Sequence, residues 1–200
     1  MKNIEIVKKQ ISDSAETKKK FLADDTAVAK IAEVAELCTE AYRNGNKVMW
    51  CGNGGSAADA QHMAGELVNK FYFDRPGLPS ISLSSDPSIV SAISNDYGYD
   101  EVFSRQIAAQ GCKGDVLIGI STSGNSKNIV AALQECRKKG IISVAIVGAK
   151  PCKMDDFDHV IKIPSEETPR IQECQTLTGH ILCCIIEKNL FGEKYGTEDK

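Results

Sequence analysis

The chain has 200 residues, with 24 Lys or Arg against 27 Asp or Glu and a formal net charge of −3. That length suits one domain with a substantial core, and the mildly acidic balance is a poor match for nucleic acid or an anionic membrane surface. No apolar run approaches a membrane span and the start, MKNIEIVKKQISDS, has no long apolar segment, so a cytoplasmic protein is expected, with its eight cysteines reduced and mostly packed in the core.

Residues 1–45 read as helical. A very polar stretch, about Ile4 to Leu22, needs a partner for its apolar edge, and a second subunit would serve. The next stretch sets Val28, Ile31, Val34, Leu37 and Ala41 at helical spacing, with Asp25 or Thr26 to cap it and Gly45 to end it. From residue 46 the rhythm changes. Five β-rich runs, KVMWCG, PSISLS, DVLIGIS, IISVAIVG and HVIKIP, alternate with helical patterns near Ala57–Phe71, Pro87–Ile93, Asp100–Ala109 and Ser126–Lys139. A last helix is predicted over about Pro169–Leu190, with Thr168 as its cap. Runs such as VLIGI are apolar on both faces, as in a sheet covered by helices on each side. The expected fold is therefore α/β, a doubly wound parallel five-stranded sheet with an N-terminal helical arm. The arm (1–45) and the main unit (46–192) form one domain in this reading, and residues 193–200 form a flexible tail.

Ligands of such sheets bind beyond the carboxyl ends of the strands. Two loops there have unusual compositions. GNGGS, residues 52–56, is a strand-to-helix turn whose glycines permit close approach of a ligand, and the N–H groups of the following helix can hold a phosphate. A tight turn alone would also want glycine. Gly52-x-Gly54-x-x-Ala57 loosely fits a dinucleotide fingerprint, but the acidic residue that pattern requires is matched only by the distant Asp86, so no nucleotide cofactor is expected. The second loop, GISTSGNS, offers the hydroxyls of Ser121, Thr122, Ser123 and Ser126 at a helix start, where capping needs only one. Lys127 comes too late for an ATP-binding lysine. Asn95 and Asp96 are polar and turn-forming. His62 and Glu66, at i and i+4, share one helix face just after the first loop. His180 lies in the apolar last helix, eight residues after Gln172, and His159 reads as structural.

CGNGGSAADAQH, NDYGYDEVFSRQ, DVLIGISTSGNS and RIQECQTLTGHIL together resemble the bacterial sedoheptulose 7-phosphate isomerases, or phosphoheptose isomerases, of the sugar isomerase (SIS) superfamily. The resemblance runs in order from about residue 20 to 190. The serine loop marks the superfamily; the combination with His62, Glu66, Gln172 and His180 is more specific. It implies a ketose–aldose isomerase that converts sedoheptulose 7-phosphate to D-glycero-D-manno-heptose 7-phosphate, the entry to nucleotide-activated heptose. It implies a zinc ion among His62, Glu66, Gln172 and His180, with Glu66 as base and His180 as acid. It also implies that Asn53, Gly54, Gly55, Glu66, Asn95, Asp96, Ser121, Thr122, Ser123, Ser126 and Gln172 contact the sugar phosphate. A homotetramer whose subunits complete each other's sites is implied as well. Two features stand against a simple transfer. Eight helical residues rise about 12 Å, so one metal meets both Gln172 and His180 only with both side chains extended or the helix start distorted. The family commonly has histidine where this chain has Gln175. The main rival is a non-catalytic paralogue, a tetramer that binds the replication initiator DnaA; it lacks the matching Glu and C-terminal His, which this chain keeps.

Overall fold

The structure, a computed structural model, describes residues 2–195. Its elements are α1 (Lys2–Leu22), α2 (Asp25–Arg43), β1 (Val48–Gly52), α3 (Gly55–Val68), β2 (Ser80–Ser82), α4 (Pro87–Tyr97), α5 (Ser104–Gln110), β3 (Val116–Ser121), α6 (Lys127–Lys139), β4 (Ile142–Val147), β5 (His159–Lys162) and α7 (Thr168–Tyr195). The five strands are all parallel, in the order β2-β1-β3-β4-β5. This is the expected doubly wound α/β sheet.

Alternate strand residues feed two cores, because successive side chains leave opposite faces of a strand. Val48 and Trp50 of β1, Ile118 of β3 and Ile146 of β4 pack with Val34, Met63, Leu67, Leu182 and Ile186 of α2, α3 and α7. Met49 and Cys51, Leu117, Ala145 and Val147 pack on the other face with Ile107, Ile129 and Leu133 of α5 and α6. All eight cysteines are free; Cys38, Cys51, Cys136, Cys174 and Cys183 are buried and serve as small apolar residues, as expected for most of them, whereas Cys112 is exposed.

The strand order reverses between β1 and β3. That switch point is where a doubly wound sheet opens a crevice, and the glycine loop after β1 and the serine loop after β3 flank it.

Several boundaries differ from the sequence reading. The α2 cap is Asp24, not Asp25 or Thr26: its carboxylate accepts from the Ala27 N–H at 3.0 Å. The buried stripe accordingly runs through Ala27, Ile31, Val34, Ala35 and Cys38, while Val28 is exposed. The helix expected near Asp100–Ala109 is a 3-10 turn, Tyr99–Glu101, followed by α5. Thr168 is the first residue of α7 rather than its cap, with the Ile171 N–H bonded to the Glu167 carbonyl. Residues 193–195 of the expected tail continue α7, and 196–200 lie outside the described residues.

Candidate active site

The glycine loop needs glycine for steric reasons. A Cβ on Gly52 would sit 2.3 Å from the Ser56 carbonyl oxygen, and Gly54 adopts φ +55°. Gly54 occupies the cap position of α3, so no side chain closes that helix start. The serine loop ends in a second open start. Ser126 stands at the cap of α6 but makes no capping hydrogen bond. Its hydroxyl lies 3.1 Å from that of Ser121, which is buried and accepts from the Gly124 N–H at 3.1 Å. Ser123 is exposed and accepts from the Asn125 N–H, and Thr122 is half-buried. The hydroxyls therefore shape the loop rather than cap the helix, so the start of α6 has no side-chain cap, although the Ile129 N–H is bonded to the Ser126 carbonyl and to Asn128 Oδ1.

A reciprocal amide pair ties the two loops together. Asn53 and buried Asn128 exchange two hydrogen bonds of 2.9 Å, and the Tyr99 hydroxyl donates to Asn53 Oδ1 at 3.0 Å. Asn53 thus spends its side chain holding the crevice in shape. Asn128 and Tyr99 were not singled out in the sequence, since nothing local pairs them with Asn53. Asn95 and Asp96 belong to the last turn of α4, not to a loop: the helix continues to Tyr97 and ends at Gly98, φ +90°. Both are exposed, and the Asn95 amide donates to the Asp96 carboxylate at 2.8 Å.

The other half of the site lies where α3 and α7 run side by side. The Gln172 amide rests on Gly55, where a Cβ would meet its Nε2 at 2.1 Å. One turn on, Thr176 donates to the Asp59 carboxylate at 2.7 Å. Further on, Gly179 admits Met63, whose sulfur would be 2.3 Å from a Cβ there. These contacts advance together along both helices, so their faces stay in step. They bring His180 to His62: the two Nε2 atoms are 3.5 Å apart, and His62 Nε2 is 3.0 Å from Glu66 Oε1. Burial raises the pKa of the half-buried Asp59, and its Thr176 bond and the two nearby imidazoles oppose that shift.

His62, Glu66 and His180 present ligand atoms that all lie within 4.8 Å of one another. Two nitrogens bound to one tetrahedral zinc at the usual bond length would be about 3.4 Å apart, so the imidazole spacing suits that ion. Two imidazoles and a carboxylate are also the donor types zinc prefers. Gln172 is on the same helix as His180 but begins two turns earlier, against Gly55. Gln175 points into the core, where its amide donates to the Ile146 carbonyl of β4 at 2.8 Å. His159 ties β5 to Glu33 of α2, a structural role. The sequence reading passed over Asp59, Thr176 and Phe71, whose ring lies 5.5 Å from that of His180.

A family model described as the SIS domain matches residues 7–148. The chain is 54% identical over 190 residues to a phosphoheptose isomerase of Aneurinibacillus thermoaerophilus, covering 94% of this chain and 96% of that one. It is 53% identical over 190 residues to phosphoheptose isomerase 2 of Campylobacter jejuni, covering 94% of each. Among solved structures, a phosphoheptose isomerase from Francisella tularensis superposes with a TM-score of 0.89 at 33% identity, covering 94% of this chain and 100% of that one. One from Neisseria gonorrhoeae gives 0.85 at 37% identity, with 92% and 98% covered.

Proposed function

Because the chain belongs to the phosphoheptose isomerase family of SIS-domain proteins, we propose how its own residues carry out that family's reaction. It is an aldose–ketose isomerase that converts sedoheptulose 7-phosphate to D-glycero-D-manno-heptose 7-phosphate, toward nucleotide-activated heptose. No finding supports the alternative of a DnaA-binding tetramer. One observation carries the assignment of roles: two open helix starts flank the sheet's switch point, and His62 and Glu66, on the helix that leaves the first of them, meet His180 of α7.

The phosphate sits at the two open starts, held by backbone N–H groups with Ser123, Thr122 and Ser126, while Ser121 keeps the loop in shape. Gly54 and Gly55 let the sugar approach the backbone, and Asn95 and Asp96 offer polar groups to its hydroxyls. Glu66 is the base. One of its oxygens faces His62 and the other is left for the C1 proton of the open-chain ketose. The proton returns at C2 of the cis-enediolate, and His180 moves the proton between the two oxygens. His62, Glu66 and His180 are the residues that would hold zinc. A zinc ion bound there would supply Lewis-acid stabilisation of the charge that develops on oxygen. Gln172 contacts the sugar from its place at Gly55; to act as a fourth ligand its amide has to leave that contact.

We also place the enzyme in the cytoplasm as a homotetramer with sites at subunit interfaces. In support, no described helix is long and apolar enough to cross a membrane. Ile4, Val7 and Ile11 share an exposed face of α1, and α4 has no buried residue. Conversion of sedoheptulose 7-phosphate, with the aldose product identified by mass, tests the reading. Activity should fall on chelation and return with zinc. Full activity in rigorously metal-free protein would remove the metal and leave the acid–base pair.

A further inference from the structure

The segment between α3 and β2, residues 69–79, has no regular structure, yet it is held by a buried ion pair. Arg75 and Glu187 have side chains 0% and 1% exposed, with Nε to Oε1 at 3.0 Å. Glu187 accepts two further bonds, from the N–H groups of Phe71 at 2.9 Å and Tyr72 at 2.7 Å. Arg75 Nη1 donates to the carbonyls of Leu67, Asn69 and Pro76, and Nη2 donates to the carbonyl of Glu66 at 2.9 Å. A buried pair of this kind is weak grounds for stability, since well-packed apolar residues often do as well. Its bonds point instead at the two ends of the acid–base couple. One grips the backbone of Glu66. The others fix the turn that lays the Phe71 ring on the His180 imidazole, 5.5 Å between centroids and tilted 35°. Glu187 lies seven residues after His180, two turns on along the same face of α7. One helix therefore carries both the imidazole and the carboxylate that positions its cover.

We propose that Phe71, held by the Arg75–Glu187 pair, is a positioning residue for the isomerase reaction: it keeps the His180 ring facing His62 and Glu66, while Arg75 holds the Glu66 backbone. The inference rests on the reading of Glu66 and His180 as base and acid. The rival is a plain staple for the loop, which would affect folding but not turnover per folded molecule.

The test is steady-state kinetics on sedoheptulose 7-phosphate, normalised to the folded fraction, for Phe71→Ala, Phe71→Tyr, Arg75→Lys and the Phe71→Ala/Arg75→Lys double variant. Loss of an outer partner that orients a site residue typically costs about 10–100-fold. Phe71→Ala should lower kcat by about that factor with KM within about twofold. Phe71→Tyr, which keeps the ring, should restore most of it. Lysine cannot reproduce the guanidinium fork, so Arg75→Lys should also lower kcat, and the double variant should lose little more than the worse single one. In a histidine-ring NMR spectrum, Phe71→Ala should move the His180 resonance and leave that of His159. Wild-type kcat in Phe71→Ala, a loss confined to KM or to thermal stability, or fully additive losses would overturn the proposal. If Arg75→Lys fails to fold, Phe71→Ala decides alone. Undiminished turnover in Glu66→Gln would overturn the acid–base reading and this inference together; a dead Glu66→Gln beside a fully active Phe71→Ala overturns only the inference.

Discussion

Among the described helices, α2 and α4 start closed by a side chain, whereas α3 and α6, the two that leave the crevice, start open. Asp24 closes α2 through the Ala27 N–H, and Asp86 closes α4 through the Ile89 N–H, both at 3.0 Å. At α3 the cap position holds Gly54, and at α6 it holds Ser126, and neither provides a side-chain cap. The difference is one of charge as much as geometry. An aspartate fills the anion position at a helix start with its own carboxylate, whereas glycine and a hydroxyl leave the N–H groups and the positive end of the dipole to a ligand. Position alone does not decide it, since α4 also follows a strand of the sheet. The open starts follow β1 and β3, on either side of the switch point; the closed α4 follows the edge strand β2.

Closing an open start should have the largest effect. Ser126→Asp puts a carboxylate beside the phosphate, and like charges brought together cost several kcal/mol, so kcat/KM should fall at least about a hundredfold. The melting temperature should hold or rise, because the new side chain caps α6. Unchanged kinetics would show that the phosphate binds elsewhere. Ser123→Ala and Ser121→Ala should act more mildly: the first weakens substrate affinity by the roughly 1.5–3 kcal/mol of one hydrogen bond to a charged group, and the second weakens it by loosening the loop that Ser121 holds through Gly124 and Ser126. Calorimetric titration checks this, and wild-type affinity in both singles and the double would refute the assignment. Opening a closed start should matter least. Asp24→Ala should lower unfolding free energy by about 1 kcal/mol in a denaturant titration and leave kcat as it is.

The sheet is legible because its central strands β1, β3 and β4 are short apolar runs buried on both faces, and the two loops are legible because four hydroxyls or three glycines exceed what a turn needs. Helix ends are less so. Asn95 and Asp96 look like turn residues, but Gly98 is the actual stop, and the Asp24 cap moves the buried face of α2 off Val28. His62 and Glu66 could be paired from their spacing alone. The contacts that bring His180 to them could not. Asp59 with Thr176 spans 117 residues, and Phe71 with Glu187 spans 116. Only the parallel run of α3 beside α7 makes them neighbours. Gln175 illustrates the same limit: beside Gln172 in sequence, it faces β4 rather than the crevice.

The most direct measurement of the central division, phosphate at the open helix starts and proton chemistry on the α3–α7 face, is Glu66→Gln followed in deuterium oxide. The substitution keeps the shape and removes the base. A positioned base typically contributes 10²–10⁴-fold, so kcat should fall at least about a hundredfold, with exchange of the substrate C1 proton for deuterium falling in parallel. Affinity for sedoheptulose 7-phosphate should stay near that of wild type, because different loops hold the phosphate. Near-normal exchange and turnover in Glu66→Gln, or lost affinity with turnover retained, would contradict the account.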